Sequence, residues 1–105
     1  MIDRRFFLGF VRIHVLYHAG SEKVYGAHLM KELARHGYEL SPGTLYPVLH
    51  ELESDGYLSC EKQTVEGKVR KYYSLTKKGK DMLRRSREQA LELVKELTEG
   101  AWWLQ

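Results

Sequence analysis

The chain is poor in cysteine and proline, and it has no long apolar run. Among its 105 residues there is one cysteine, Cys60, and there are two prolines, Pro42 and Pro47. A single thiol excludes an intrachain disulfide framework and suits a reducing cytoplasm. The longest apolar stretch, Phe6 to Val11, ends at Arg12, far short of the ~20 residues that a bilayer crossing needs. Met1-Ile2-Asp3-Arg4-Arg5 is followed by no small-residue cleavage site, so no secretory signal is expected. No Cys-His or Ser-His-Asp set occupies a catalytic motif, and Gly43-Thr44 lacks the surrounding residues of a phosphate loop. Neither an enzymatic activity nor a cofactor is expected. Repeats, linkers and low-complexity tracts are absent as well. The composition, 43% hydrophobic and 30% charged, is that of a globular protein. The length supports one compact unit that buries about two-thirds of the surface its unfolded chain exposes.

Excess charge is slight, 17 Lys+Arg against 14 Asp+Glu for a net +3, and is weak grounds for an anionic partner. Its distribution is more informative. Lys77 to Arg87 holds six bases against Asp81 alone, whereas Glu88 to Glu99 holds four acids against Lys95 alone. Either this is a solvated helix laced with pairs such as Glu92 and Lys95, or its first half lies near a polyanion and its second half points away.

Periodicity orders the chain. Asp3 to His18 carries Phe6, Phe7, Phe10, Val11, Ile13 and Leu16 close to helical spacing, with Asp3 placed to cap and Ala19-Gly20-Ser21 to end it. Tyr25 to His36 repeats the pattern through Leu29, Met30 and Leu33, and Gly37 stops it. Leu45, Val48, Leu49 and Leu52 form a third amphipathic helix closed by Asp55-Gly56. Its start is open between two readings: Ser41 caps with Pro42 first, or Thr44 caps with Pro47 in the first turn. After Gly56 the period becomes two. Two short strands, one of them Val69 to Leu75, flank the polar break Thr64-Val65-Glu66-Gly67 as a hairpin. Thr76 then caps a long last helix that includes Gly79. Its apolar residues Leu83, Ala90, Val94, Leu97, Ala101 and Leu104 are spaced 7, 4, 3, 4 and 3, a seam with Arg87 at the one missing position.

Three helices followed by a basic hairpin make a winged helix-turn-helix. The fold class is mainly α with a small β hairpin, residues 1–75 forming the DNA-binding unit and 76–105 a C-terminal dimerisation helix, both within one compact body. The third helix of such a unit enters the major groove with its N-terminal residues foremost. Ser41, Gly43, Thr44, Tyr46 and Pro47, with His50 a turn later, face away from the Leu45-Val48-Leu49-Leu52 stripe. This helix has no Lys or Arg to supply the phosphate attraction that dominates affinity. Lys62, Lys68, Arg70 and Lys71 flank the hairpin tip and supply it, with Lys77, Lys78 and Lys80 adding to it. The bland alternative is a solvated, aggregation-resistant edge.

These residues resemble the PadR family of transcriptional regulators. The resemblance rests on Tyr25-Gly26, on Ser41-Pro42-Gly43-Thr44-Leu45-Tyr46-Pro47-Val48-Leu49, on Leu52-Glu53 and Gly56-Tyr57-Leu58, and on Arg70-Lys71-Tyr72-Tyr73-Ser74-Leu75-Thr76-Lys77-Lys78-Gly79. It runs from about Val11 to Leu83, and Ser-Pro-Gly-Thr-Leu-Tyr-Pro is its most specific part. The family's usual Tyr-Gly-Tyr-Glu-Leu is here Tyr25-Gly26-Ala27-His28-Leu29. One C-terminal helix is similar to the compact subgroup. The resemblance implies a cytoplasmic homodimeric repressor whose last helix packs on the partner, released from double-stranded DNA by a small molecule. The apolar seam independently calls for a covering helix, so Phe6, Phe7, Phe10, Leu83, Ala90, Val94, Leu97 and Ala101 are the expected interface. The operator is then a pseudopalindrome with half-sites roughly 34 Å apart. Tyr25 and Gly26 are expected to contribute at the phosphate-facing start of the second helix. The competing reading is a winged-helix module that binds another protein with the same surface.

Three further features carry two readings each. His14 and His18 are spaced as two ligands of one metal would be, but the expectation is two surface or interface histidines and no metal. Cys60 reads as a small buried hydrophobe ahead of a sensor thiol. Trp102 and Trp103 either pack in the dimer seam or line a shared cavity for a planar aromatic effector.

Overall fold

A computed structural model describes residues 3–104; Met1, Ile2 and Gln105, the outermost residues of the two units read from the sequence, lie outside the described residues. The order is α1 (Arg4–Ser21), α2 (Gly26–Arg35), α3 (Pro42–Ser54), β1 (Leu58–Val65), β2 (Lys68–Leu75) and α4 (Lys77–Lys95). A π-helical turn, Glu96–Gly100, and a 3-10 turn, Trp102–Leu104, follow. This is the winged-helix arrangement that the periodicity predicts.

Asp3 caps α1 by accepting a bond from the Arg5 amide at 2.9 Å. The helix takes in Ala19 and Gly20 and ends at Ser21. Ala19 is buried, and a Cβ on Gly20 would already meet Leu75 at 3.0 Å, so the small residues there serve packing. α2 ends as read: Tyr38 N–H reaches the Leu33 carbonyl and Gly37 N–H the Ala34 carbonyl, the paired bonds of a Schellman motif. α3 begins at Ser41 with Pro42 first, which decides between the two possible starts. Pro47 therefore stands inside the helix and leaves the Gly43 carbonyl without its usual i+4 donor. α3 closes with a second Schellman pair, Tyr57 to Leu52 and Gly56 to Glu53, which needs Gly56 at φ +83°.

The core forms where α1, α2 and α3 converge on the base of the hairpin: Val11, Val15, Leu29, Leu33, Leu45, Leu49 and Leu58 are essentially sealed from solvent. The whole Leu45-Val48-Leu49-Leu52 stripe is buried. In the hairpin, Glu66 and Gly67 alone make the turn, both at positive φ (52° and 78°), as a two-residue type I′ connection demands. The strands are accordingly longer than the polar break at Thr64 suggests. Val24, between α1 and α2, exchanges two backbone bonds with Tyr73 (2.9 and 2.7 Å) and ties the hairpin to the helices. Arg12 of α1 pairs with Glu51 of α3, which turns that acid away from the start of the helix.

Thr76 caps α4 by accepting from the Gly79 amide at 3.0 Å while its hydroxyl donates to the Gly56 carbonyl at 2.6 Å. Gly79 sits so close to the hairpin that an added Cβ would overlap the Tyr57 carbonyl and meet Leu75 at 2.7 Å. Beyond this anchor no residue of α4 is fully buried, and the helix projects from the body. It is shorter than the seam predicts. Thr98 donates its hydroxyl to the Val94 carbonyl at 2.7 Å, competing for that acceptor where the helix widens. Ala101 leaves helical geometry (φ −97°, ψ 45°). Ala101 and Leu104 thus fall out of the straight seam, and Ala101 is buried within the single chain.

Gly79→Ala is expected to lose about 3 kcal/mol in urea unfolding. Intrinsic helix preference alone would raise stability by up to about 1 kcal/mol, so the sign of the change separates the two effects.

Candidate nucleic-acid interface

The face of α3 opposite its buried stripe presents Ser41, Gly43, Tyr46, Pro47 and His50 to solvent, with Thr44 half-buried. The Ser41 and Thr44 hydroxyls lie 3.3 Å apart, so the two short polar side chains share one hydrogen bond at the exposed tip. Tyr46 leans across onto α2. A Cβ on Gly26 would stand 2.8 Å from two carbons of the Tyr46 ring and 2.5 Å from its hydroxyl. Gly26 is buried, so its side-chain hydrogen is what lets α3 lie this close to the start of α2.

The hairpin is braced on the same start. The Arg70 guanidinium lies 4.2 Å from the centre of the Tyr25 ring, and Tyr25 meets Tyr72 edge-on at 5.5 Å. The Lys23 ammonium lies over the Tyr72 ring, 5.2 Å from its centre. The hydrogen bond from Arg70 to the Tyr72 hydroxyl raises the guanidinium pKa further, so Arg70 stays charged. Lys23 and Tyr72 were not legible as partners in the sequence, because only the Val24–Tyr73 bridge brings their segments together. The result is a cleft of about 660 Å³. Tyr25, Gly26, Ala27 and Tyr46 form one wall; Val65, Lys68, Arg70 and Lys71 belong to the other. α2 opens into it with no side-chain cap on its first amides, which favours an anion there.

The register divides the hairpin bases. Lys62 pairs directly with Lys71 on the face shared with Tyr73, while Arg70 lies opposite Gln63 and Lys68 opposite Val65 on the other face. Like charges in register destabilise a strand pair. Among the described residues Lys62, Lys68 and Lys71 form no salt bridge, so this charge is not spent inside the fold. Lys78 is spent: its ammonium donates to the Asp55 carbonyl at 2.6 Å and lies over Tyr57, closing the end of α3. Lys77 and Lys80 are exposed.

The remaining candidates are scattered. Phe6, Phe10, Val94 and Leu97 are each about half exposed or more, and Ala90 is exposed. Phe7 instead packs on Tyr38 with ring centres 5.2 Å apart, and Leu83 lies against the core. Trp102 and Trp103 are 82% and 67% exposed. Cys60 is half-buried against the core beside Tyr73, whose hydroxyl burial holds up to a pKa of about 12. His14 and His18 are joined by His36, which helical spacing along α1 does not reveal because it caps the end of α2.

The sequence pattern of the Transcriptional regulator PadR-like family matches residues 15–85. Transcriptional regulator Rv3488 of Mycobacterium tuberculosis (strain ATCC 25618 / H37Rv) is 46% identical over 97 residues, spanning 92% of this chain and 91% of that protein. Among solved structures, a PadR family transcriptional regulator from Eggerthella lenta DSM 2243 superposes with a TM-score of 0.80 at 36% identity, covering 91% of this chain and 88% of that one. A PadR-like transcriptional regulator from Bacillus cereus strain ATCC 14579 gives 0.74 at 29% identity, with 91% and 98% covered.

The contact between Gly26 and Tyr46 predicts a non-additive pair. Gly26→Ala should cost about 1–3 kcal/mol in the parent protein and close to nothing in a Tyr46→Ala background. Equal losses in both backgrounds, measured by denaturant unfolding, would remove the packing explanation.

Proposed function

The chain belongs to the PadR-like family of transcriptional regulators, and from that premise we propose that it is a cytoplasmic homodimer that binds a pseudopalindromic duplex operator and represses transcription until a planar aromatic effector releases it. It is a regulator and not an enzyme. Repression and release are carried over from the family resemblance. DNA binding has its own support in the residues, and one observation carries it. The unpaired bases Lys68 and Lys71 and the braced Arg70 rim a cleft whose opposite wall leads onto the exposed tip of α3. In this reading Ser41, Gly43, Thr44, Tyr46, Pro47 and His50 meet base edges and the sugar-phosphate rim. Tyr25 and Gly26 offer the α2 amides to a phosphate, and Lys62, Lys68, Arg70 and Lys71 grip the backbone.

The dimer is supported by surface. The chain exposes 7803 Å², where a compact monomer of this mass exposes about 6,100 Å². The excess is about twice the ~800 Å² that each partner contributes to a standard interface. Apolar residues stand exposed on α4 (Leu91 63%, Val94 53%), on the π-helical turn after it (Leu97 49%) and on α1 (Phe6 67%). Trp102 and Trp103 extend that surface and are the aromatic groups that an effector bound between subunits would stack on. No helix of the described residues is long and apolar enough to cross a membrane.

Selection from a randomised duplex pool should enrich a two-fold symmetric motif, and light scattering at micromolar concentration should give the dimer mass. A folded dimer that enriches nothing would favour a protein-binding module; a monomer would end the dimer reading. On the enriched site, Lys62→Ala and Lys71→Ala should each weaken binding to all sequences and reduce the salt slope by about 1. His50→Ala should instead alter base preference. Trp fluorescence should be quenched by planar phenolic or polyaromatic compounds, and silence across a broad panel would remove the effector.

A further inference from the structure

Three histidines that the proposed DNA contact does not use stand together, with His36 at the opposite end of α2 from the cleft. His14 and His18 are one turn apart on α1, and His36 is the C-cap of α2. Their ring centres are 5.0 Å (His14–His36), 5.6 Å (His18–His36) and 6.3 Å (His14–His18) apart. One ring nitrogen from each lies within 4.8 Å of the other two. The Nε2 of His18 is shut off from solvent and has no hydrogen-bond partner among the described residues. A buried nitrogen normally finds a partner, and an orphaned one asks for a missing ligand.

We infer that His14, His18 and His36 bind one divalent transition-metal ion of the zinc, cobalt and nickel class. Imidazole nitrogens select such borderline ions over magnesium and calcium, which prefer oxygen. Three protein ligands leave a fourth position for water or a small anion, the arrangement of an open tetrahedral site. Ligand nitrogens at ~2.0–2.1 Å from a tetrahedral ion stand roughly 3.3 Å apart, so the cluster closes on the ion by a modest rotation of its side chains. His36 is exposed and has room for that movement.

The surroundings support neutral, ligating imidazoles. Burial first, and the neighbouring histidines second, hold His14 below the ordinary histidine range. Burial also lowers His18, against a partial counter-effect from the Glu32 carboxylate. That carboxylate lines the small cleft beside His18, together with Glu22 and His28, and supplies negative charge next to the ion. Arg35, 3.4 Å from Glu32, offsets part of that negative charge. Tyr38 packs on the His14 ring at 4.9 Å and limits its orientations. The bound ion would fasten α1 to the end of α2.

The test is calorimetric titration of zinc chloride into tag-free full-length protein, carried out on the Cys60→Ser variant as well, so that the lone thiol is not the ligand. The expected result is saturation at one ion per chain, no heat with magnesium chloride, and the intense visible absorption of tetrahedral cobalt when that ion is used. His36→Gln, a change at an exposed helix end that leaves the core intact, should weaken zinc binding at least about tenfold. His14→Ala combined with His36→Gln should abolish it, with circular dichroism confirming the fold. Bound zinc should also raise the thermal midpoint of the wild type and not that of the double variant. A flat zinc titration of the folded wild type would reduce the cluster to stacked imidazoles. Binding unchanged in His36→Gln would overturn the three-histidine site.

Discussion

Gly79 and the Tyr57 carbonyl lie at a separation that admits no side chain on residue 79, and the geometry of both ends of the wing depends on this contact. Around it, the Thr76 hydroxyl reaches the Gly56 carbonyl, the Thr76 amide reaches Tyr57, and Lys78 reaches Asp55. The C-terminus of α3, the start of β1, the end of β2 and the first turn of α4 therefore meet in one set of hydrogen bonds to the carbonyls of Asp55, Gly56 and Tyr57. Each of these termini would otherwise leave carbonyls or amides unpaired in a half-buried place. A glycine that weakens a helix on propensity grounds is here what allows the helix to dock.

The candidate interface inherits its rigidity from that junction and from a second one across the molecule. The two backbone bonds between Val24 and Tyr73 lay the hairpin beside the start of α2. Arg70 then stacks on Tyr25, and Tyr46 rests on Gly26. Aromatic rings set the spacing, and the charges stand at its rim. Because Arg70 is held by two tyrosines, it loses less freedom when it meets a phosphate than a free surface arginine would. The lysine pair Lys62–Lys71 is the opposite device: an unfavourable internal repulsion that an external anion would relieve.

α4 reaches the core only through its first turns, where Gly79 is buried and Met82 and Leu83 pack on it. Its charge runs from basic to acidic along its length, and beyond those turns Leu91, Leu93 and Val94 are exposed. The chain is correspondingly extended, with a radius of gyration of 15.4 Å against about 13 Å for a compact chain of this length. An exposed apolar strip of this kind is the mark of an interaction surface. Thr98 and Gly100 mark where the regular helix gives way, so the two tryptophans leave α4 on an irregular turn instead of continuing its seam.

Much of this was legible from local pattern. Helical spacing located all four helices and the buried stripe of α3, and the change to a period of two located the hairpin, because those signals lie within a dozen consecutive residues. Asp3, Gly37, Gly56 and Thr76 could be read as helix boundaries for the same reason. The choice of Ser41 over Thr44, the length of the strands and the break after Lys95 depend on bonds whose partners local spacing does not specify. Four relations belong wholly to tertiary structure: Val24 beside Tyr73, Arg70 upon Tyr25, Tyr46 over Gly26, and His36 between His14 and His18. Each joins segments that touch only after the core has closed. Residue type and spacing determined which elements form and which faces they bury, whereas packing between elements decided which side chains share a site, since contact across a fold has no period along the chain.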